Sequence, residues 1–299
     1  MNRARAQKAV LIALLLFAAP CGEALTQAGR RTSASSNERT IALNVTATRT
    51  DASSAPISAD EISLFDDGIE QTIKSFSPDP TPARIVLLLD NSATLRTDIE
   101  KLGQAVREFI YEIYEGDQIM VVGYDERPEI LADWTDAPAK IEEGIKLLRK
   151  RGEPHLFDAI AAVVDQALLP LTGIRKRAIV LISDGLDRGS KSRFNQILAE
   201  LQREDITVYA LQLPDRTGGA YRRDQPKPAE AIRLLTEGTG GRAFPFGEFK
   251  ETAATICDEL RRNRYVLAYS PTGVSYNSTR RLLLVAHEGI NVRAKTMQP

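Results

Sequence analysis

Two cysteines in 299 residues cannot make the dense disulfide framework that holds small secreted domains together. No apolar stretch reaches the roughly 18 residues of a membrane-spanning helix, which sets aside a multi-span membrane protein. Charge of one sign is also missing: 39 Lys+Arg stand against 40 Asp+Glu. Without a basic excess, a nucleic-acid surface has no electrostatic footprint. There is no Gly-x4-Gly-Lys-Ser/Thr loop for a nucleotide and no Gly-x-Ser-x-Gly elbow for a nucleophilic serine. No internal repeat is visible. What remains is a chain 43% hydrophobic and 26% charged, long enough for about two domains with cores of their own.

The N-terminus reads as an export signal. Arg3, Arg5 and Lys8 precede an unbroken apolar run from Ala9 to Ala19 that stops at Pro20. Small-residue patterns at Gly22-Glu23-Ala24 or Thr26-Gln27-Ala28 offer a cleavage point. We take residues 1–24 as a signal peptide and 25–39 as a polar tether, which places the protein outside the cytoplasm, secreted or periplasmic. An uncleaved anchor, or acylation at Cys21, is the alternative use of the same segment. If 1–24 leave, three bases and one acid leave with them, and Cys257 is the one remaining thiol. It lies in a helical stretch, Glu251 to Arg262, and is expected to be a buried packing residue.

Residues 40–80 have strand grammar. Ile41, Leu43, Val45 and Ala47 alternate with polar or small residues, as in a half-buried strand. Ile62–Phe65 and Ile69–Ile73 flank Asp66-Asp67-Gly68, a hairpin signal. The proline-rich run Ser77–Pro82 closes this segment. From Arg84 the pattern changes to strands alternating with helices, beginning with the continuous apolar run Ile85–Leu89 that suits a strand covered on both faces. Thr97-Asp98-Ile99-Glu100 reads as a capping box opening a helix with Ile99, Leu102, Val106 and Phe109 on one stripe. Further strands are expected at Gln118–Tyr124, Glu129–Trp134, Ala178–Ser183, Thr207–Leu213 and Arg242–Phe246, with helices between them. This predicts a doubly wound α/β domain over 83–262 with a mostly parallel sheet. The tail, 263–299, returns to strands too few to be stable alone. They are expected to pair with the strands of 40–80, so that both ends of the chain build one small all-β module.

Ligands of an open α/β sheet collect beyond the carboxyl ends of its strands. Two polar groups stand there: Asp90-Asn91-Ser92-Ala93-Thr94 after the first strand and Ser183-Asp184-Gly185 after the central one. They serve either as ordinary turn chemistry or as hard oxygen donors for a divalent cation. Ile85–Thr94, together with Ile182–Gly185 and Thr239-Gly240-Gly241 in that order, resembles a von Willebrand factor type A domain. The preface Ile62–Ser77 and the tail Arg264–Pro271 are similar to those of secreted type A-related proteins of Acidobacteria, so the resemblance covers about 40–296. It implies a protein-binding module for adhesion or assembly, not an enzyme. It also implies a metal-ion-dependent adhesion site with Asp90, Ser92, Thr94 and Asp184 as donors to Mg²⁺, or to Mn²⁺ or Ca²⁺, completed by an acidic residue of a protein partner.

The chain departs from the family pattern at one loop. Gly152–Asp158 matches the family's Gly-Gly-Thr-Ala-Leu-Tyr-Asp but puts Pro154 where the threonine belongs, and proline has no side-chain oxygen. Glu153 and His155 flank it and are assigned to partner contact, with Tyr221, Arg222 and Arg223 in the long loop 214–228. The loops 90–96, 151–157, 184–191 and 214–228 are expected to share one rim. A metal-independent scaffold is the competing reading. A hydrolase using Ser92, His155 and Asp184 is the other, separable by the effect of Ser92→Ala on turnover.

Overall fold

A computed structural model of the protein describes residues 40–218 and 225–299, apart from 52 and 54. Residues 1–39, which hold the expected signal peptide, the expected tether and Cys21, lie outside the described residues, as do Tyr221, Arg222 and Arg223. Among the described residues no helix is long and apolar enough to cross a membrane.

Four strands come first: β1 (Ile41–Arg49), β2 (Ile62–Asp66), β3 (Ile69–Gln71) and β4 (Ile73–Pro78). The expected second arm of the hairpin is two strands, not one. β3 pairs with β2, the chain then changes sheets at Thr72, and β4 joins the other layer. β4 is an edge strand, which is where Pro78 is tolerated because no ladder donor is needed there.

The central domain begins with β5 (Arg84–Asp90) and α1 (Ile99–Glu112), followed by β6 (Gln118–Tyr124), β7 (Pro128–Thr135), α2 (Pro138–Ile145) and α3 (Leu156–Val163). It continues through β8 (Arg177–Ser183), α4 (Phe194–Arg203), β9 (Thr207–Gln212), α5 (Pro228–Gly238), β10 (Ala243–Pro245) and α6 (Phe249–Arg261). The sheet order is β10-β9-β8-β5-β6-β7, with β7 antiparallel to its neighbour and every other pair parallel. The continuous apolar run of β5 is explained by its two coverings. Ile85, Leu87 and Leu89 point into a layer closed by α1, α2 and α6, while Val86 and Leu88 point into one closed by α3, α4 and α5. At α1 the cap is Asp98, whose carboxylate accepts the Lys101 N–H at 2.8 Å, one residue later than the capping-box pattern places it.

Cys257 packs in the first of these layers and is buried. Burial pushes its thiol up, away from the reactive thiolate. Native protein should therefore leave the peptide 249–261 unmodified by an alkylating reagent at pH 8, and the same peptide should be fully modified in denaturant. Equal labelling in both states would contradict this packing.

Four strands end the chain: β11 (Arg264–Tyr269), β12 (Arg280–Ala286), β13 (Ile290–Arg293) and β14 (Met297–Gln298). Three of them pair with N-terminal strands as expected, β11 with β1 and β4, β13 with β1 and β12 with β2, while β14 adds to β12; the result is two antiparallel sheets, β13-β1-β11-β4 and β14-β12-β2-β3. Leu43, Val45, Leu64, Leu267, Tyr269 and Leu282 fill the space between them. The short β14 was not legible in the sequence.

β1 is more buried than its alternation predicts, because its second face meets the central domain. Asn44 N–H donates to Asp205 Oδ2 at 2.8 Å, and the Asn44 amide donates to the Asp205 carbonyl at 3.2 Å. Arg264, at 1% exposure, donates to Thr46 Oγ1 at 3.1 Å and to Thr207 Oγ1 at 2.6 Å. Glu259 of α6 takes ion pairs from Arg242 and Arg293 at 2.6 Å each. Buried polar groups need partners of this kind, so the all-β module is keyed to the central domain by specific hydrogen bonds as well as by apolar area.

Candidate functional site

The chain leaves β5 through α1 to one side of the sheet and returns through β8 on the other. The carboxyl ends of β5 and β8 therefore stand side by side at a switch of direction. Asp90 ends β5, Ser183 ends β8, and Asp184 follows it. The backbone turns sharply at each point. Ser92 N–H and Oγ–H both donate to Asp90 Oδ1, at 2.9 and 2.6 Å. Leu186 N–H donates to Asp184 Oδ1 at 3.1 Å. Gly185 has φ +85°, a backbone state that a side chain resists.

Asp90, Ser92, Thr94 and Asp184 do converge, and a cation lies at their centre. It is the guanidinium of Arg216, four residues past the end of β9. Nε donates to Asp184 Oδ2 at 2.7 Å and Nη2 to Asp184 Oδ1 at 2.8 Å, a two-point grip on one carboxylate. Nη2 also donates to Asp90 Oδ2, and Nη1 donates to Ser92 Oγ at 2.8 Å and to Thr94 Oγ1 at 2.9 Å. An arginine head carries five N–H groups, and here each has an acceptor. Backbone N–H of Arg216 adds a contact to Asp184 Oδ2 at 3.2 Å. Arg216 is 8% exposed, and the two carboxylate side chains are inaccessible.

A further layer supports this centre from inside the sheet. Tyr124 hydroxyl donates to Ser183 Oγ at 2.9 Å, and Gly185 N–H reaches the same oxygen at 3.0 Å. Ser183 in turn stands 3.5 Å from Asp90 Oδ2. Burial pushes the Tyr124 phenol well up, so it serves as a neutral donor. For Asp90 burial also pushes the carboxyl above its ordinary range, and the nearby guanidinium pulls the other way. Arg216 is held fully charged by its two carboxylates, against the cost of its own burial.

The expected divalent ion does not fit this arrangement. Each of the four residues assigned to it already gives an oxygen to a guanidinium hydrogen, the remaining Asp90 Oδ1 accepts from Ser92, and Pro154 supplies no side-chain oxygen. Pro154 is buried instead, its carbonyl accepting Arg188 N–H at 2.7 Å. Among the described residues no group of three or more His, Cys, Asp or Glu is placed to hold a metal ion.

The other assigned residues sit around this centre. His155 precedes α3, its N–H donating to the Asp125 carbonyl at 2.9 Å, and its ring lies against Gly189. Glu153 faces outward and pairs with Arg188 at 3.4 Å. No hydrogen bond joins His155 to Ser92 among those described, and the Ser92 hydroxyl already donates to Asp90. Asp187 ties three rim segments together by accepting from Phe157 N–H at 3.1 Å, from the Ser190 hydroxyl and from Gln225 Nε2 at 3.1 Å. Beside the guanidinium a cleft of about 380 Å³ opens between Phe157, Leu186, Arg188, Thr217, Gln225 and Pro226.

Arg216 is what sequence reasoning missed. In the loop 214–228 the sequence points to Tyr221, Arg222 and Arg223, and nothing in it sets Arg216 apart. The signal available was indirect: two carboxylates buried at adjacent strand ends need a counter-charge, and Pro154 had weakened the case for a metal.

Residues 85–186 match the family model of the von Willebrand factor type A domain, a segment that holds Asp90, Ser92, Thr94 and Asp184 and stops before Arg216. Among curated proteins there is no match by sequence. Solved structures with a similar fold include a von Willebrand factor type A protein from Catenulispora acidiphila, at 10% identity and TM-score 0.49, covering 80% of this chain and 73% of that one. An aerotolerance-related membrane protein from Bacteroides fragilis, carrying multiple mutations to serines, is 17% identical at TM-score 0.46 and covers 60% of this chain and 98% of its own. Proximal thread matrix protein 1 from the mussel byssus, in a form with a zinc-occupied adhesion motif, is 13% identical at TM-score 0.47. It covers 63% of this chain, which spans 47% of that protein.

Proposed function

We propose that this chain, with a von Willebrand type A domain at its centre, is an exported, non-enzymatic protein-binding module for adhesion or assembly that meets its partner at the rim of loops beyond β5, β8 and β9. The observation that carries the reading is the type A fold with its polar centre closed on itself at that rim. The serine there is engaged as donor to Asp90 and as acceptor from Arg216, which leaves no activated nucleophile and supports binding over hydrolysis. The basic and apolar N-terminal residues support export. Around the closed centre, half-exposed Glu153, exposed Arg188 and the adjoining cleft give a partner charged and apolar contacts together.

The test is affinity capture with wild type and with the swapped pair Glu153→Arg plus Arg188→Glu, which preserves the internal attraction while inverting the pattern seen from outside. A partner of the rim should be retained about tenfold less by the swapped protein. Undiminished retention of every wild-type partner would remove the rim from the reading. Hydrolytic turnover lost in Ser92→Ala would overturn its non-enzymatic part.

A further inference from the structure

We infer that Arg216 is a built-in substitute for the metal ion of this site, so that the centre works without any divalent cation and becomes a metal site only when that side chain is removed. Three observations carry it. First, the position is filled stoichiometrically: five guanidinium hydrogens meet oxygens of Asp90, Ser92, Thr94 and Asp184, a set of two carboxylates and two hydroxyls that is also a hard-cation donor set. Second, the loop that would complete a metal shell has lost its oxygen at Pro154, and that residue is buried in a different role, as acceptor for Arg188 N–H. Third, the replacement is built into the backbone. Asp215 accepts from Thr217 N–H at 2.7 Å and from the Thr217 hydroxyl at 2.6 Å, while Arg216 N–H itself bonds to Asp184, so the turn delivers the side chain to the centre.

The consequence for recognition is specific. A metal ion at such a place presents an open coordination position that a partner's carboxylate fills. A guanidinium whose five hydrogens are all used presents none, even though Arg216 borders the adjoining cleft at 8% exposure. Partner binding at the rim is thereby independent of Mg²⁺, Mn²⁺ and Ca²⁺ and unaffected by chelators. The charges also differ. Two carboxylates and one guanidinium leave one net negative charge in the centre, whereas a divalent ion would cancel both carboxylates. Removing Arg216 thus creates both the vacancy and the electrostatic demand for such an ion.

The inference is tested without a partner, so its failure is distinguishable from failure of the binding reading. Thermal unfolding and calorimetric titration with Mn²⁺ and with Mg²⁺ are compared for the EDTA-treated full chain, for Arg216→Ala and for Arg216→Gln. The wild type should show the same midpoint in EDTA and in either ion and no saturable heat. Arg216→Ala should bind Mn²⁺ saturably, with a midpoint raised by about 5–10 °C once the ion exceeds its dissociation constant about a hundredfold. That gain should disappear when Asp90→Asn is added. Arg216→Gln, which keeps a polar side chain but no charge, guards against loss of the alanine variant to misfolding and should show a gain of the same sign. Saturable, Asp90-dependent binding by the wild type would overturn the inference, because the guanidinium would then be a displaceable occupant. Soluble Arg216 variants without any response to either ion would overturn it equally, by reducing the arginine to a structural brace.

Discussion

Arg216→Ala should lower the stability of the metal-free protein by about 3–5 kcal/mol, the cost of leaving buried carboxylates without their counter-charge. The side chain is 4% exposed and its two carboxylate partners are inaccessible, so solvent cannot take over its role. The loss should also depend on pH. Burial already raises the Asp90 carboxyl in the wild type, and the guanidinium is the largest influence opposing that rise. Without it the folded-state value climbs further above the unfolded one of about 3.9. A native carboxyl that holds its proton more tightly than the unfolded chain makes stability fall as pH rises between the two values. The deficit of the variant against wild type should therefore be smaller at pH 5 than at pH 8. Urea unfolding of both proteins across that range reads it directly. A deficit that stays constant with pH, or one below about 1 kcal/mol, would mean that the centre is not electrostatically closed by Arg216.

The second large effect is expected at Gly185, the residue after Asp184. Its φ of +85° already disfavours any side chain. A Cβ there would stand 2.3 Å from the Pro228 carbonyl oxygen and 2.8 Å from Ile232 Cγ1, at the start of α5. Backbone strain of about 1–2 kcal/mol and overpacking of about 1–3 kcal/mol together give a loss of roughly 2–5 kcal/mol for Gly185→Ala. Gly68→Ala is the control, because Gly68 has φ +80° with nothing within 4 Å of the added carbon. It should cost only the strain. Equal shifts in the two unfolding midpoints would show that the contact with α5 does not matter. A markedly larger shift at Gly185 would show that this helix start fixes the Asp184 turn, and through it the hold on Arg216.

Much of the architecture was legible in the sequence because each level of the pattern agreed with the next. The continuous apolar run 85–89 required covering on both faces, and the alternation of helices with strands supplied the layers. The pairing of 40–80 with 263–299 followed from strands too few to stand alone. What escaped were local events decided by tertiary contact. Nothing in Ile69–Ile73 announces that the strand breaks at Thr72 to change sheets. The polar face of β1 reads as solvent-facing until Asp205 and Arg264 are seen to bind it. At the site, the four oxygen-bearing residues were found because they lie next to strand ends in a recognisable order. Arg216 was not, since its partners are 32 to 126 residues away in sequence and its charge alone does not distinguish it from the arginines that follow it.

One topological fact bears on how the chain reaches this state. β1 takes its register from β11, with Ile41 opposite Tyr269, so a strand made early in synthesis lacks its neighbour until more than two hundred further residues exist. At about 5–20 residues per second that interval is roughly 10–45 s. The intervening α/β domain has every strand of its sheet by Pro245 and its last helix by Arg261, before most of the C-terminal strands exist. In the folded protein its two ends are adjacent: Asp79 N–H bonds to the Arg264 carbonyl at 2.8 Å. The entropic cost of closing a loop of that length has then been met by the domain's own folding, and the waiting strands find their partners across a short gap. The order of assembly that this implies is inside first, with the sandwich closing last around a finished insert.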